Sequence, residues 1–260
     1  MGGTAALLFL GVVQGLTEFL PLSSSGHLVF AQAWLGLSEQ PLAVDVFLHL
    51  GTLAAVLLAF RRDLARMLVD LARGSGRDVL LLVVATLPAA VVGLLFKDAV
   101  EHAFARPVFA AAGLLVTAGL LVLGEWGRRR TSEAQKTDRL SYGTALAIGC
   151  IQAVAICPGI SRSGSTIAMA LWLGVRPERA ARFSFLLSIP AVLGAVLLSL
   201  PDVDPARLPG GWPGLTAAGL VAGLVGWLSL RWLLAFVSRG AFVGFALYCA
   251  CLGTVGLFLS

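Results

Sequence analysis

The sequence predicts an all-α polytopic membrane protein, an inverted repeat in which each half is one re-entrant helical hairpin followed by three transmembrane helices. Three observations carry that prediction. First, 58% of the 260 residues are hydrophobic and only 13% charged, against about 25% charged in a soluble domain; the mean hydropathy is +0.91. Second, six apolar runs near 43–60, 79–96, 107–124, 183–200, 214–236 and 241–259 are long enough to span about 30 Å of hydrocarbon. Third, four shorter runs, 4–20, 26–37, 143–157 and 164–175, form two pairs, each broken by a stretch rich in Pro, Ser and Gly. A broken helix at membrane depth is tolerated only where protein or a water-filled cavity covers its backbone.

Taken in order, the chain opens with a hairpin broken at Pro21-Leu22-Ser23-Ser24-Ser25-Gly26. The first span follows, and then segment 61–78, whose Arg61, Arg62, Arg66, Arg73 and Arg77 alternate with Asp63, Asp70 and Asp78. It reads as an amphipathic piece lying against anionic lipid head groups, as do Arg128–Arg130. Glu101 and His102 fall in the connection between the second and third spans and are expected to be solvated. The second hairpin is broken at Pro158-Gly159-Ile160-Ser161-Arg162-Ser163-Gly164-Ser165-Thr166, and three spans complete the chain. The halves share residues at an offset of 138: Gly11-Val12-Val13-Gln14 with Gly149-Cys150-Ile151-Gln152, Gly26 with Gly164, and Phe47-Leu48 with Phe185-Leu186. The expected organisation is one membrane domain, with repeats 1–124 and 143–260 joined by a cytoplasmic linker 125–142. An odd number of spans per half inverts the second copy. The hairpins then enter from opposite faces and meet near the midplane, where such repeats place polar sites.

Orientation follows from the basic residues. Fifteen of the nineteen Lys and Arg residues, including Arg176, Arg179, Arg182, Arg231 and Arg239, fall on one face, and Lys97, Arg106 and Arg207 on the other. The basic face is therefore expected to be cytoplasmic. The net charge of +5 sits in short loops, so nucleic acid is not an expected partner. No basic segment or Ala-x-Ala cleavage site marks residues 1–10 as a signal peptide. Cys150, Cys157, Cys249 and Cys251 lie in apolar segments and read as small core residues.

Chemistry concentrates in the two hairpin breaks. A guanidinium at membrane depth costs roughly 2.5–3.5 kcal/mol, so Arg162 needs a compensating partner. Its planar fork suits phosphate, and Ser161, Ser163, Gly164 and Thr166 add hydroxyls and turn backbone N–H groups toward an anion at a helix start. Gln14 and Glu18, four residues apart, share one helix face, and an intramembrane carboxylate marks function by default. Structural alternatives are a Glu18 paired with an arginine and a His27 satisfied within the core. The functional reading has Glu18 as metal ligand or base, Ser24 or His27 for attack, and Ser23 beside the Arg162 group for phosphate. One carboxylate suffices for Mg²⁺ when substrate phosphates complete its ligands. Asp45 and His49, also four apart, read as supporting or interfacial residues.

These residues resemble a known family. Gln14-x-x-x-Glu18 followed by Phe-Leu-Pro-Leu-Ser-Ser-Ser-Gly-His27 is similar to the (Glu/Gln)-x-x-x-Glu motif and serine–histidine segment of undecaprenyl-diphosphatases of the bacitracin-resistance type. Pro158–Thr166 is similar to their second signature, Pro-Gly-x-Ser-Arg-Ser-x-x-Thr. His49-Leu-Gly-Thr52 and Phe183–Pro190 also resemble members. The resemblance covers most of the chain and is weakest in the last two spans. It implies a bacterial inner-membrane enzyme, reached from the periplasmic face, that hydrolyses undecaprenyl diphosphate to the monophosphate and recycles the carrier for peptidoglycan synthesis. It also implies a divalent cation, Mg²⁺ or Ca²⁺, with Glu18 and Gln14 as its protein ligands. Where many members have glutamate this chain has Gln14, which argues against a pair of carboxylates on the metal. Besides the polyprenyl diphosphate and membrane lipids, the only further partner expected is a second copy in a homodimer.

Two rival readings compete with this one. A carrier moving undecaprenyl phosphate across the membrane would need Arg162 and the serines but not Glu18 or His27. The other membrane phosphatase superfamily has a Pro-Ser-Gly-His signature close to Ser24-Ser25-Gly26-His27, yet no downstream His-x-x-x-Asp exists here. Diphosphate hydrolysis remains. Arg162 and the Gly164 loop would neutralise developing charge, while Glu18 and His27 position and deprotonate Ser24 or a water.

Overall fold

The computed structural model describes residues 3–37, 41–199, 210–237, 240 and 242–259. Its elements are α1 (Gly3–Thr17), α2 (Ser24–Leu35), α3 (Pro41–Ala59), α4 (Arg61–Ala72), α5 (Arg77–Leu95), α6 (Lys97–Phe104), α7 (Pro107–Arg130), α8 (Tyr142–Val154), α9 (Arg162–Trp172), α10 (Pro177–Ser199), α11 (Gly211–Phe236) and α12 (Phe242–Leu259). Helices α5, α7, α10, α11 and α12 are long and apolar enough to cross a membrane, and α3 with α4 forms a sixth candidate span bent by 71°. The protein is an all-α polytopic membrane protein. Arg207 and Arg239, two residues of the charge pattern, lie outside the described residues.

Packing follows the repeated order of elements. Helix α1 packs on α11 and α8 on α5; α3 packs on α11 and α10 on α5; α7 packs on α12 and α3 on α10. Exchanging α1, α3, α5 and α7 for α8, α10, α11 and α12 maps this set of contacts onto itself. Small residues permit the close approaches. A β-carbon on Gly51 of α3 would stand 2.0 Å from the Gly219 carbonyl oxygen of α11, so only hydrogen fits there. One buried cluster, including Phe19, Leu81, Ile148, Ile167 and Phe185, joins the two hairpins to α5 and α10.

Several boundaries differ from the hydropathy reading, each for a local reason. Helix α7 continues through 125–130 because buried Glu125 accepts hydrogen bonds from Arg128 Nη2 at 2.7 Å and Arg129 Nε at 2.6 Å, i,i+3 and i,i+4 pairs that hold the last turn. Helix α10 begins at Pro177, since proline suits the first helical position and Glu178 the first turn. Segment 61–78 contains the amphipathic helix α4, tied to α10 by Arg182–Asp63 at 2.6 Å. Likewise Arg179–Asp78 at 2.9 Å ties α10 to α5. Of the cysteines, only Cys249 is buried; Cys150, Cys157 and Cys251 are exposed and do not belong to the core.

Candidate active site

The first hairpin turns at Glu18–Ser23. Glu18 follows the last helical residue of α1, its N–H still bonded to the Gln14 carbonyl at 2.9 Å. Ser23 has φ 68°, the one positive φ among described residues other than glycine, a backbone state that stores strain. Its Oγ accepts from Gly26 N at 3.3 Å and caps α2. The second hairpin repeats this device. Gly159 has φ 84°, and a β-carbon there would stand 2.0 Å from the Ala110 carbonyl oxygen. Ser161 Oγ accepts from Gly164 N at 3.0 Å and caps α9. Ser24 and Arg162 therefore hold the same place, the first helical residue after a serine cap. The tips are joined by Gly159 N donating to Ser25 Oγ at 3.3 Å and Ser163 Oγ to the Leu20 carbonyl at 3.3 Å. Thr117 of α7 anchors the second tip, donating to Gly159 O at 2.9 Å and accepting from Ser161 N at 2.8 Å.

Buried Glu18 is the centre of this meeting point. Its Oε1 accepts from Arg162 Nη2 at 2.5 Å. Its Oε2 accepts from Ser24 Oγ at 2.7 Å and Gln14 Nε2 at 3.2 Å. His49 Nε2 stands 3.5 Å from the same oxygen, while its Nδ1 donates to the Asp45 carbonyl at 2.7 Å. The arginine thus has the compensating partner its depth demands, and the serine hydroxyl has a carboxylate within proton-transfer reach. Such nucleophile–base contact is the geometric signature of covalent catalysis. A cavity of about 540 Å³ opens on the group, lined at its polar end by Glu18, Ser23, Ser24, Ser25, Ser161 and Arg162. The starts of α2 and α9 both face it, and a helix N-terminus favours an anion.

Of the residues expected at the site, Gln14, Glu18, Ser23, Ser24, Ser161 and Arg162 are brought together. Ser163, Gly164 and Thr166 stand behind them. Thr166 Oγ1 lies 2.6 Å from Ser184 Oγ, and the Ser184 carbonyl accepts from Arg162 Nη1 at 3.3 Å, so they brace the guanidinium from below. His27 is held elsewhere: Nδ1 donates to the Ser23 carbonyl at 2.7 Å, and Nε2 is 2.8 Å from the Tyr248 hydroxyl. Its ring stacks on Tyr248 at 5.6 Å between centroids. The imidazole beside Glu18 is His49, and both His49 and Asp45 line the cavity. Asp45 accepts from Gln32 Nε2 at 2.7 Å. Their i,i+4 spacing was the available signal, but nothing local links 45–49 to Glu18; the packing of α3 against α1 does.

A family model described as bacitracin resistance protein BacA matches residues 7–255. The chain is 45% identical to the undecaprenyl-diphosphatase of Desulfosudis oleivorans, over 96% of each chain. It is 42% identical to that of Desulfatibacillum aliphaticivorans, again over 96% of each. The protein of the same name from Rubrobacter xylanophilus is 42% identical over 93% of this chain and 92% of its own. The chain belongs to the BacA family.

For a divalent cation, the ligands expected in this BacA chain are Glu18, which lines the cavity, and Gln14, which is buried directly behind it. Gln14 Oε1 is buried without a hydrogen-bond partner while its amide nitrogen bonds Glu18. Among the described residues no three His, Cys, Asp or Glu side chains could hold an ion by themselves. One carboxylate and one amide oxygen, completed by diphosphate oxygens and water, fit the way Mg²⁺ is held.

Proposed function

We propose that this chain is an undecaprenyl-diphosphatase of the bacterial inner membrane, releasing undecaprenyl phosphate and inorganic phosphate. Its basic end faces the cytoplasm and its cavity the outer side. The observation that carries the reading is the contact of Ser24 Oγ with a carboxylate that Arg162 holds from the other side. In this mechanism Ser24 Oγ attacks the terminal phosphorus and Glu18 Oε2 takes the hydroxyl proton. The bond between that phosphorus and the bridging oxygen breaks, and undecaprenyl phosphate leaves. The proton on Glu18 goes with the departing undecaprenyl phosphate, which frees the carboxylate. Water then attacks the phosphoserine and gives Glu18 a proton; the bond from phosphorus to Ser24 Oγ breaks, and phosphate departs as that proton returns to Ser24 Oγ. Arg162 and the two helix starts stabilise charge on the transferring phosphoryl group, the main demand of this reaction. Glu18 and Gln14 would hold the cation, which when bound neutralises diphosphate charge.

A carrier that only moved the lipid would have no use for a hydroxyl–carboxylate pair at the anion site. Phosphate release from undecaprenyl diphosphate by the purified protein, with and without EDTA, tests the reading. Release lost in Ser24→Ala and restored by magnesium after chelation supports it. Full release in Ser24→Ala would remove Ser24 as the nucleophile, and no release by folded wild-type protein would overturn the activity.

A further inference from the structure

Helix-interior glycines occur here in two settings. At Gly11, Gly51 and Gly149 a β-carbon would fall 2.0–2.5 Å from a carbonyl oxygen of a neighbouring helix, so close packing explains them. Gly93 of α5 and Gly194 of α10 differ. A β-carbon on Gly93 would meet only Ile156 Cδ1 at 3.9 Å, and one on Gly194 nothing within 4 Å. Glycine inside a helix loses stability relative to alanine, and here no close contact recovers the loss. Both glycines line the cavity that ends at Glu18 and Arg162, together with Ala89, Ala90, Ala191 and Ala195. The space between α5 and α10 is open because side-chain volume is missing on both sides. Protein interiors otherwise pack densely. Gln152, 2% exposed, lines the same cavity, and its Oε1 has no partner. A buried polar atom without a partner marks a place where a ligand or its water is expected. Gln152 thus adds an unpartnered polar group to a cavity whose lining combines the charged Glu18 and Arg162 with apolar α5 and α10 residues.

We propose that the channel between α5 and α10 binds the isoprene units next to the diphosphate, and that Gly93 and Gly194 set the width of chain it accepts. The proposal rests on the diphosphatase reading. A cavity of about 540 Å³ lies within the range that encloses a ligand of drug size, so it takes the head and the first units while the rest of the tail lies in lipid.

The test compares Gly93→Leu and Gly194→Leu with Gly119→Leu, a site on α7 that also has nothing within 4 Å but lies outside the cavity lining. Phosphate release from farnesyl diphosphate gives KM, and inhibition by inorganic diphosphate reports the head site alone. The channel variants should raise KM about tenfold or more and leave the inhibition constant within about twofold, with Gly119→Leu near wild type in both. An unchanged KM would overturn the proposal. So would KM and the inhibition constant rising together, which would mean a collapsed head site. Wild-type protein that releases no phosphate from undecaprenyl diphosphate would overturn the parent reading and this proposal with it, whereas release from undecaprenyl but not farnesyl diphosphate would overturn the proposal alone.

Discussion

Glu18 makes its two oxygens do different things, and each has a measurable consequence. Oε1 compensates Arg162, and Oε2 takes the Ser24 hydroxyl. Glu18→Gln keeps volume and hydrogen-bonding capacity but removes the base, so kcat should fall roughly 10²–10⁴-fold. It also removes the counter-charge of the partly buried Arg162 guanidinium, which should lower stability by less than the roughly 3–5 kcal/mol that breaking a fully buried pair costs. Thermal unfolding in detergent should therefore register Glu18→Gln more strongly than Ser24→Ala, although both should lose most of their turnover. The double variant Glu18→Gln/Arg162→Met should regain much of the stability and none of the activity; a double variant as unstable as Glu18→Gln would mean that the ion pair is not what the fold depends on. His27 gives the contrasting case. Its partners are the Ser23 carbonyl and Tyr248, so His27→Ala should lower turnover less than about tenfold, through the strained tip, where a general base would cost roughly 10²-fold or more. Turnover in the two variants, measured side by side, separates the roles.

At the scale of elements, each hairpin is a helix break stabilised by a serine cap, and Thr117 is the outside support of the second. Thr117→Val leaves the Gly159 carbonyl and the Ser161 N–H unpaired in a buried place, at about 1–3 kcal/mol each. The tip that presents Arg162 should shift, and kcat/KM should fall about tenfold for each 1.4 kcal/mol lost from the transition state, while Thr117→Ser should retain activity. Equal activity in the two variants would exclude the support role. The hairpins were legible in the sequence because a Pro-, Ser- and Gly-rich break inside an apolar run can neither continue the helix nor face lipid with its backbone bare. Helix α6, in a stretch read only as a solvated connection, and the last turns of α7 were not legible: hydropathy registers burial in lipid, whereas these turns are held by i,i+3 and i,i+4 ion pairs and by docking. His49 was hidden for a different reason. Its distance from Glu18 is fixed by how α3 packs against α1, and no local pattern in 45–49 carries that information.

For the molecule as a whole, the two-fold pattern of helix contacts explains how one site arises from two similar halves. The serine caps and the tight tips are common to both, whereas Ser24 and Arg162 occupy corresponding positions with different chemistry, one bringing a hydroxyl and the other a guanidinium to Glu18. The site's access depends on which end of the bundle faces the cytoplasm. Arg61–Arg77, Arg128–Arg130 and Arg176–Arg182 all cluster at one end, and Lys97 with α6 stands at the other, beside the cavity mouth. Short basic loops are retained on the cytoplasmic side, so exposed His102 of α6 should be reachable from outside the cell and exposed Ser132 should not. In a cysteine-free background, a membrane-impermeant maleimide applied to spheroplasts should modify His102→Cys and spare Ser132→Cys until the membrane is permeabilised. The reverse pattern would turn the cavity mouth toward the cytoplasm. The enzyme could then act only on lipid diphosphate on the inner leaflet, and the outward-facing reaction assigned to it would be wrong even if every residue of the site behaved as expected.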